Sequence, residues 1–186
     1  MIRVIDVNIY SLMTKMIKKF ILSSLLLSSI PLLALIPEES GAYDSPCELV
    51  TLEEVKSRFD LDENLEINFE DKAYTYPTCS FTWKDGKVTK TMDVGGQLID
   101  VDLDSELLIV MVKEANESKY EASISVYSDG QIEEGIGDLA TWSPKRAQLT
   151  FLSNGYLFHV HVKASNDNLE NRENAIEIAG SIIGKL

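Results

Sequence analysis

From Phe20 to Ile36 the chain runs 17 residues without a charge, and Lys15, Lys18 and Lys19 stand just before it. Pro37, two glutamates and the small residues Ser40, Gly41 and Ala42 follow. A basic stretch, an apolar stretch and closing small residues are the parts of a secretory signal peptide, with Ala42/Tyr43 the expected cut. The alternative is an uncleaved membrane anchor. Against it, the run is shorter than the roughly 20 residues of a spanning helix, and Pro31 interrupts it. Residues 1–15 contain Asp6 and no periodicity, so translation is expected to begin at Met13 or Met16. This one feature divides the chain. Residues 1–42 act as an address, and 43–186 must fold by themselves where thiols oxidise.

The composition suits a folded domain: 45% hydrophobic and 25% charged over 186 residues. With 17 basic and 30 acidic residues the formal net charge is −13. Cleavage after Ala42 removes four basic and three acidic residues, leaving 144 residues at −14. Nucleic acid and anionic membrane surfaces need a cationic face, so the charge balance argues against both as partners.

Cys47 and Cys79 are the only cysteines, and both lie in the exported part. An even count in an oxidising compartment reads as a disulfide, and two cysteines allow one pairing. The bridge would tie the mature N-terminus to a strand. A redox pair or metal site is disfavoured, because no Cys-x-x-Cys spacing is present and no histidine lies near either cysteine.

Thr51-Leu52-Glu53-Glu54 is a capping box, and Leu52, Val55 and Phe59 share a helical face, so a helix is expected from Leu52 to Phe59. Tyr74 to Lys84 is aromatic and β-branched; Asp85-Gly86 then signals a hairpin with Val88 to Met92 as the return strand. Gly95-Gly96 reads as a break. Leu107 to Val112 is continuously apolar, as in a central strand or one covered on both faces. Residues 114–127 fit either a strand or a helix. Leu139 to Trp142, Ala147 to Leu152 and Tyr156 to Lys163 read as strands, the last two joined at Asn154-Gly155. From Asn166 to Ile183 an amphipathic helix is expected, with Leu169, Ile176, Ala179, Ile182 and Ile183 on its apolar side. Strands enclosed by an early and a late helix indicate a single α+β domain, a curved antiparallel β-sheet flanked by N-terminal and C-terminal helices.

Motifs for chemistry are sparse. His159 and His161 share one face of a strand, a spacing used in some metal sites, but two ligands do not make a zinc centre. Asp100-Val101-Asp102-Leu103-Asp104-Ser105-Glu106 begins like a calcium loop, yet Ser105 and Met111 stand where the loop's Gly and Glu belong; a solvated strand face accounts for the same pattern. Gly-x-Ser-x-Gly and the phosphate-loop signature are both missing. Gly135-Ile136-Gly137-Asp138 reads as a tight turn before a strand. Asn116-Glu117-Ser118 matches a glycosylation sequon, without a sign of a glycosylating host.

Ser45 to Val55 (SPCELVTLEEV), Tyr76 to Trp83 (YPTCSFTW) and Glu134 to Trp142 (EGIGDLATW), followed by the closing hairpin and long helix, come in a familiar order. They resemble a family of small exported bacterial proteins of unknown function. In that family a P-C-x-L-[LV]-T helix start is bridged to a C-x-[FW] strand, and a G-[IL]-G-D-x-A turn follows. The resemblance covers nearly all of residues 45–184. It implies a sensor-type fold, a periplasmic or secreted location and a helix at 114–127, and it says almost nothing of activity. Many members are lipoproteins. Here Asp44-Ser45-Pro46 precedes Cys47 in place of a lipobox, so lipid tethering is not expected.

The expected role is therefore a non-enzymatic exported domain that binds a protein partner or small ligand in the cell envelope, with no cofactor and no stable membrane span after cleavage. Trp83, Trp142, Tyr156, His159 and His161 are the candidate contact residues if they lie on a strand surface; for the two tryptophans the competing and favoured reading is a place in the core. The alternative is a periplasmic metal-dependent enzyme or metal-binding factor using His159, His161 and nearby carboxylates. Convergence of the two imidazoles with an acid around one pocket would favour that alternative.

Overall fold

The structure, a computed structural model, describes residues 43–186, which fall within one compact unit. The leader, its start at Met13 or Met16 and its cut after Ala42 lie outside the described residues.

The side chain of Ser45 accepts from Cys47 N and caps the 3₁₀ turn Pro46–Glu48. Helix α1 (Leu52–Arg58) starts at the expected capping box: Thr51 Oγ1 accepts from Glu54 N, and Thr51 N donates to Glu54 Oε2. Strands β1 (Ile67–Lys72) and β2 (Thr78–Trp83) follow, then β3 (Thr89–Val94), β4 (Gln97–Asp102) and β5 (Ser105–Val112). Helix α2 (Glu117–Ile124) resolves the ambiguous stretch as helix. Asn116 caps it by accepting from Lys119 N, and Tyr120 is its buried residue. Strands β6 (Gln131–Ile132), β7 (Leu139–Ser143), β8 (Gln148–Ser153) and β9 (Tyr156–Lys163) lead to helix α3 (Asn168–Ile183).

Seven strands form one antiparallel sheet in the order β1-β2-β5-β9-β8-β7-β6. The domain is thus α+β with helices near both ends. Cys47 bonds Cys79 across a Cα–Cα distance of 5.2 Å, joining the 3₁₀ turn to β2.

Two expectations fail at β3. The segment after Asp85-Gly86 does not return along β2, because both edges of β2 are already taken by β1 and β5. Instead β3 pairs with β4 in a separate hairpin, and Gly95-Gly96 is its turn. Both glycines have positive φ, 65° and 85°, which a tight two-residue turn requires. β1 is not among the expected strands, although Ile67 and Phe69 alternate with Asn68 and Glu70. Four of its six residues are exposed, and Phe69 meets the core at Phe81, 5.2 Å away between ring centroids.

Strand alternation gives the sheet two different faces. One carries Phe81, Leu107, Ile109, Phe151, Phe158 and Val160, all fully buried in the main core with α1 and α3 residues such as Val55 and Ile178. The helix face there differs from expectation. Leu169 is exposed, and Asn171 and Asn174 are buried. Asn171 earns its place by hydrogen bonding: its Oδ1 accepts from Ala164 N and Ser165 N, and its Nδ2 donates to Ser165 O. The other sheet face carries Leu152 and Leu157, which form a smaller cluster with Tyr120 of α2.

Candidate functional site

Helix α2 covers only part of that second face. It packs over Leu152 and Leu157, leaving the neighbouring stretch of β5 and β9 open. The result is a cleft of about 540 Å³. Val110 and Val112 of β5 and Leu157 and His159 of β9 line it from the sheet. Lys119, Ala122 and Ser123 contribute one wall from α2, and residues 74–77, ahead of β2, contribute another. Tyr74 and Tyr76 on that second wall are 64% and 54% exposed, so their rings stand at the rim. Volume and apolar lining place the cleft within the usual range of small-ligand sites.

His159 is held by a relay. Its Nδ1 lies 2.8 Å from Thr150 Oγ1 and 3.2 Å from Gln148 Nε2. Thr150 Oγ1 is 2.6 Å from Tyr127 Oη, which accepts from Gln148 Nε2 at 2.6 Å. An amide N–H can only donate, so Tyr127 donates to Thr150, Thr150 donates to Nδ1, and Nδ1 is the acceptor. The ring proton therefore sits on Nε2, assigned from this network. Burial lowers the His159 pKa, favouring the neutral ring, and burial likewise raises that of Tyr127, keeping it a phenol.

His161 shares the sheet face, as the strand spacing requires, but belongs to a second cleft of about 550 Å³ with Glu106, Arg146 and Asn171. Its Nδ1 donates to Arg146 O at 2.8 Å, and its Nε2 is 3.7 Å from Glu106 Oε2. The two imidazoles thus line separate clefts and do not converge with a carboxylate on one point. Among the described residues, no three His, Cys, Asp or Glu side chains gather as a group that could hold a metal ion. Asp100 and Asp102 lie on the polar face of the β3–β4 hairpin, opposite Thr91 and Thr89.

Three of the five expected contact residues face the main core instead. Trp83 and Trp142 are buried at 2% and 1% exposure, so both take the core position that is the competing reading for them. Trp83 packs on Phe59 at 4.9 Å between centroids and donates through Nε1 to Asp85 Oδ2. Tyr156 is half-buried against Phe158, on the face opposite the cleft. Of the five, His159 alone lines the cleft. Lys119, Tyr74 and Tyr76 were not singled out by the sequence. The usable signal was in α2, where Glu117 and Glu121 lie at i, i+4 while Lys119, Ala122 and Ser123 fall on another face.

Comparison with family models, curated proteins and solved structures finds no match to this chain. Among the described residues, no helix is long and apolar enough to cross a membrane.

Proposed function

We propose that this chain is a non-enzymatic exported binding domain, and that it takes a small ligand in the cleft between α2 and the β5–β9 face. The observation that carries the reading is the incomplete cover of an apolar sheet face. Val110, Val112 and Leu157 meet a cleft, with an imidazole fixed in one tautomer among them. The relay spends Nδ1 internally and leaves Nε2–H without a hydrogen-bond partner among the described residues, a preset donor for a ligand. The disulfide supports an oxidising compartment, periplasmic or extracellular. The resemblance to small exported bacterial domains points the same way. Among the described residues lining the cleft, no carboxylate, thiol or second imidazole joins His159.

The test is amide chemical-shift mapping with octanol, octanoate and indole at millimolar concentration. Binding in the cleft shifts residues 110–112, 119–123 and 157–159, and Ala122→Trp, which fills the cleft, abolishes those shifts. Shifts confined to other regions, or none with any of the three probes, overturn the reading.

A further inference from the structure

Helix α2 stands between two clefts of opposite charge. On one flank Glu117 and Glu121 join Glu133, Glu134 and Asp138 around a cleft of about 410 Å³ that, among the described residues, no Lys or Arg lines. On the other flank lies the larger cleft, where Lys113 and Lys119 are the charged residues and, among the described residues, no Asp or Glu is found. In a chain with 30 acidic and 17 basic residues, a concave site whose charged lining, among the described residues, is two lysines runs against the whole protein's field.

The two lysines differ. Lys113 is already paired, its Nζ 2.6 Å from Asp44 Oδ1. Lys119 has no carboxylate partner among the described residues; its Nζ donates to the Glu114 carbonyl at 2.8 Å. An ammonium has three donors, so two remain, along with an uncompensated charge. The same cleft holds the His159 Nε2–H donor and the apolar floor of Val110, Val112 and Leu157. Unpaired donors, an unneutralised cation and an apolar surface together favour a ligand with an anionic head and a hydrocarbon or aromatic body.

We infer that the cleft binds small amphiphilic carboxylates, the head held by Lys119 and the His159 N–H and the apolar body laid on the β5–β9 floor. This rests on the proposed use of the cleft as a ligand site and names the chemistry of its occupant. Charged hydrogen bonds in a partly dry site outweigh their neutral counterparts, so the head group should dominate selectivity.

Octanoate, octanol and octylamine share one body and differ in head charge, and calorimetric titration of the oxidised domain with each separates the contributions. Octanoate is expected to bind about tenfold more tightly than octanol, with octylamine weakest. Lys119→Gln should lower octanoate affinity about tenfold and leave octanol unchanged, since only the charge is removed. A matching melting temperature shows that the variant folds. Equal binding of octanoate and octanol, tighter binding of octylamine, or an unaffected Lys119→Gln variant overturns the carboxylate assignment while leaving the cleft a ligand site. Failure of all three probes to bind there removes both.

Discussion

Glu133 and Arg172 meet in a two-pronged ion pair, Nε to Oε1 at 2.7 Å and Nη2 to Oε2 at 2.5 Å, that fastens the segment after β6 to helix α3. The carboxylate is buried while the guanidinium is only part-covered. Removing the cation leaves a buried charge without compensation, which costs more than the intact pair contributes. Arg172→Met should therefore destabilise the domain by about 2–3 kcal/mol in urea titration. The double variant with Glu133→Met should recover most of the loss. Equal loss in single and double variants would show that the site matters through packing alone.

The Cys47–Cys79 bridge closes a loop of 32 residues. In the chain-entropy account a loop of this length contributes about 3–4 kcal/mol, mainly by restricting the unfolded chain. Replacing both cysteines by serine should lower the unfolding free energy by about that amount, and intact oxidised protein should weigh two hydrogens less than its reduced form. Free thiols in protein purified from its native compartment would contradict the bridge.

Local signals in the sequence survived folding almost unchanged. Thr51 and Glu54 form the capping box they spell, and Asn154-Gly155 joins β8 to β9. What local pattern could not convey was which strands meet. Val88 to Met92 reads as a partner for β2 only if nothing else claims that edge, and β1 and β5, distant in sequence, claim both. The cleft was illegible for the same reason. Its walls come from residues 74–77, 110–112, 119–123 and 157–159, which meet only once β2, β5 and β9 lie side by side. His159 was visible because its spacing to His161 is local. Lys119 was not, because its significance lies in the acids missing around it.

Glu54 joins the first helix to the C-terminus. Its Oε1 and Oε2 accept from Lys185 Nζ at 2.6 and 2.8 Å, and Oε1 also accepts from Ser181 Oγ. Partial burial raises the Glu54 pKa, but these donors and Thr51 N outweigh it and bring the carboxyl from 4.5 down to about 2. A carboxyl lowered in the folded state contributes stability that is complete above its unfolded value and is lost as pH falls through the folded one. The loss thus falls between pH 4.5 and about 2. After allowance for solvent screening it amounts to about 1 kcal/mol. Glu54→Gln should destabilise by about that much at neutral pH and flatten the stability curve across the acid window. An unchanged acid slope would remove Glu54 from the acid response.

Gly137 and Gly135 both have positive φ, 55° and 80°, in the turn before β7. A Cβ at Gly137 would run into the Leu152 carbonyl, the acceptor for Asp138 N, whereas one at Gly135 meets open space. Gly135→Ala carries the left-handed backbone penalty alone, about 1 kcal/mol. Gly137→Ala must also displace β8 and should cost at least about 2–3 kcal/mol. Thermal denaturation of the pair separates the two effects. Similar losses would mean that β8 yields freely.

The β3–β4 hairpin stands apart from the core. Cross-strand partners put Met92, Val94, Ile99 and Val101 on one face and Thr91, Asp93, Asp100 and Asp102 on the other. None of these residues belongs to either core cluster. The base is held separately, by Leu103 N donating to Val88 O and by Asn166 bonding Thr89 through both backbone and hydroxyl. An isolated two-stranded ribbon is marginal in water, so the hairpin draws its order from that base and gives little stability back. Replacing residues 91–100 with a short Gly-Ser linker should leave the melting temperature within about 2–4 °C of the parent, no more than the shift that a change of about 1 kcal/mol produces in a domain of this size. Amide exchange should be fast along β3 and β4 and slow in β5 and β9 of the parent protein. A large drop in melting temperature, or hairpin amides as protected as those of β5, would place the hairpin within the cooperative unit.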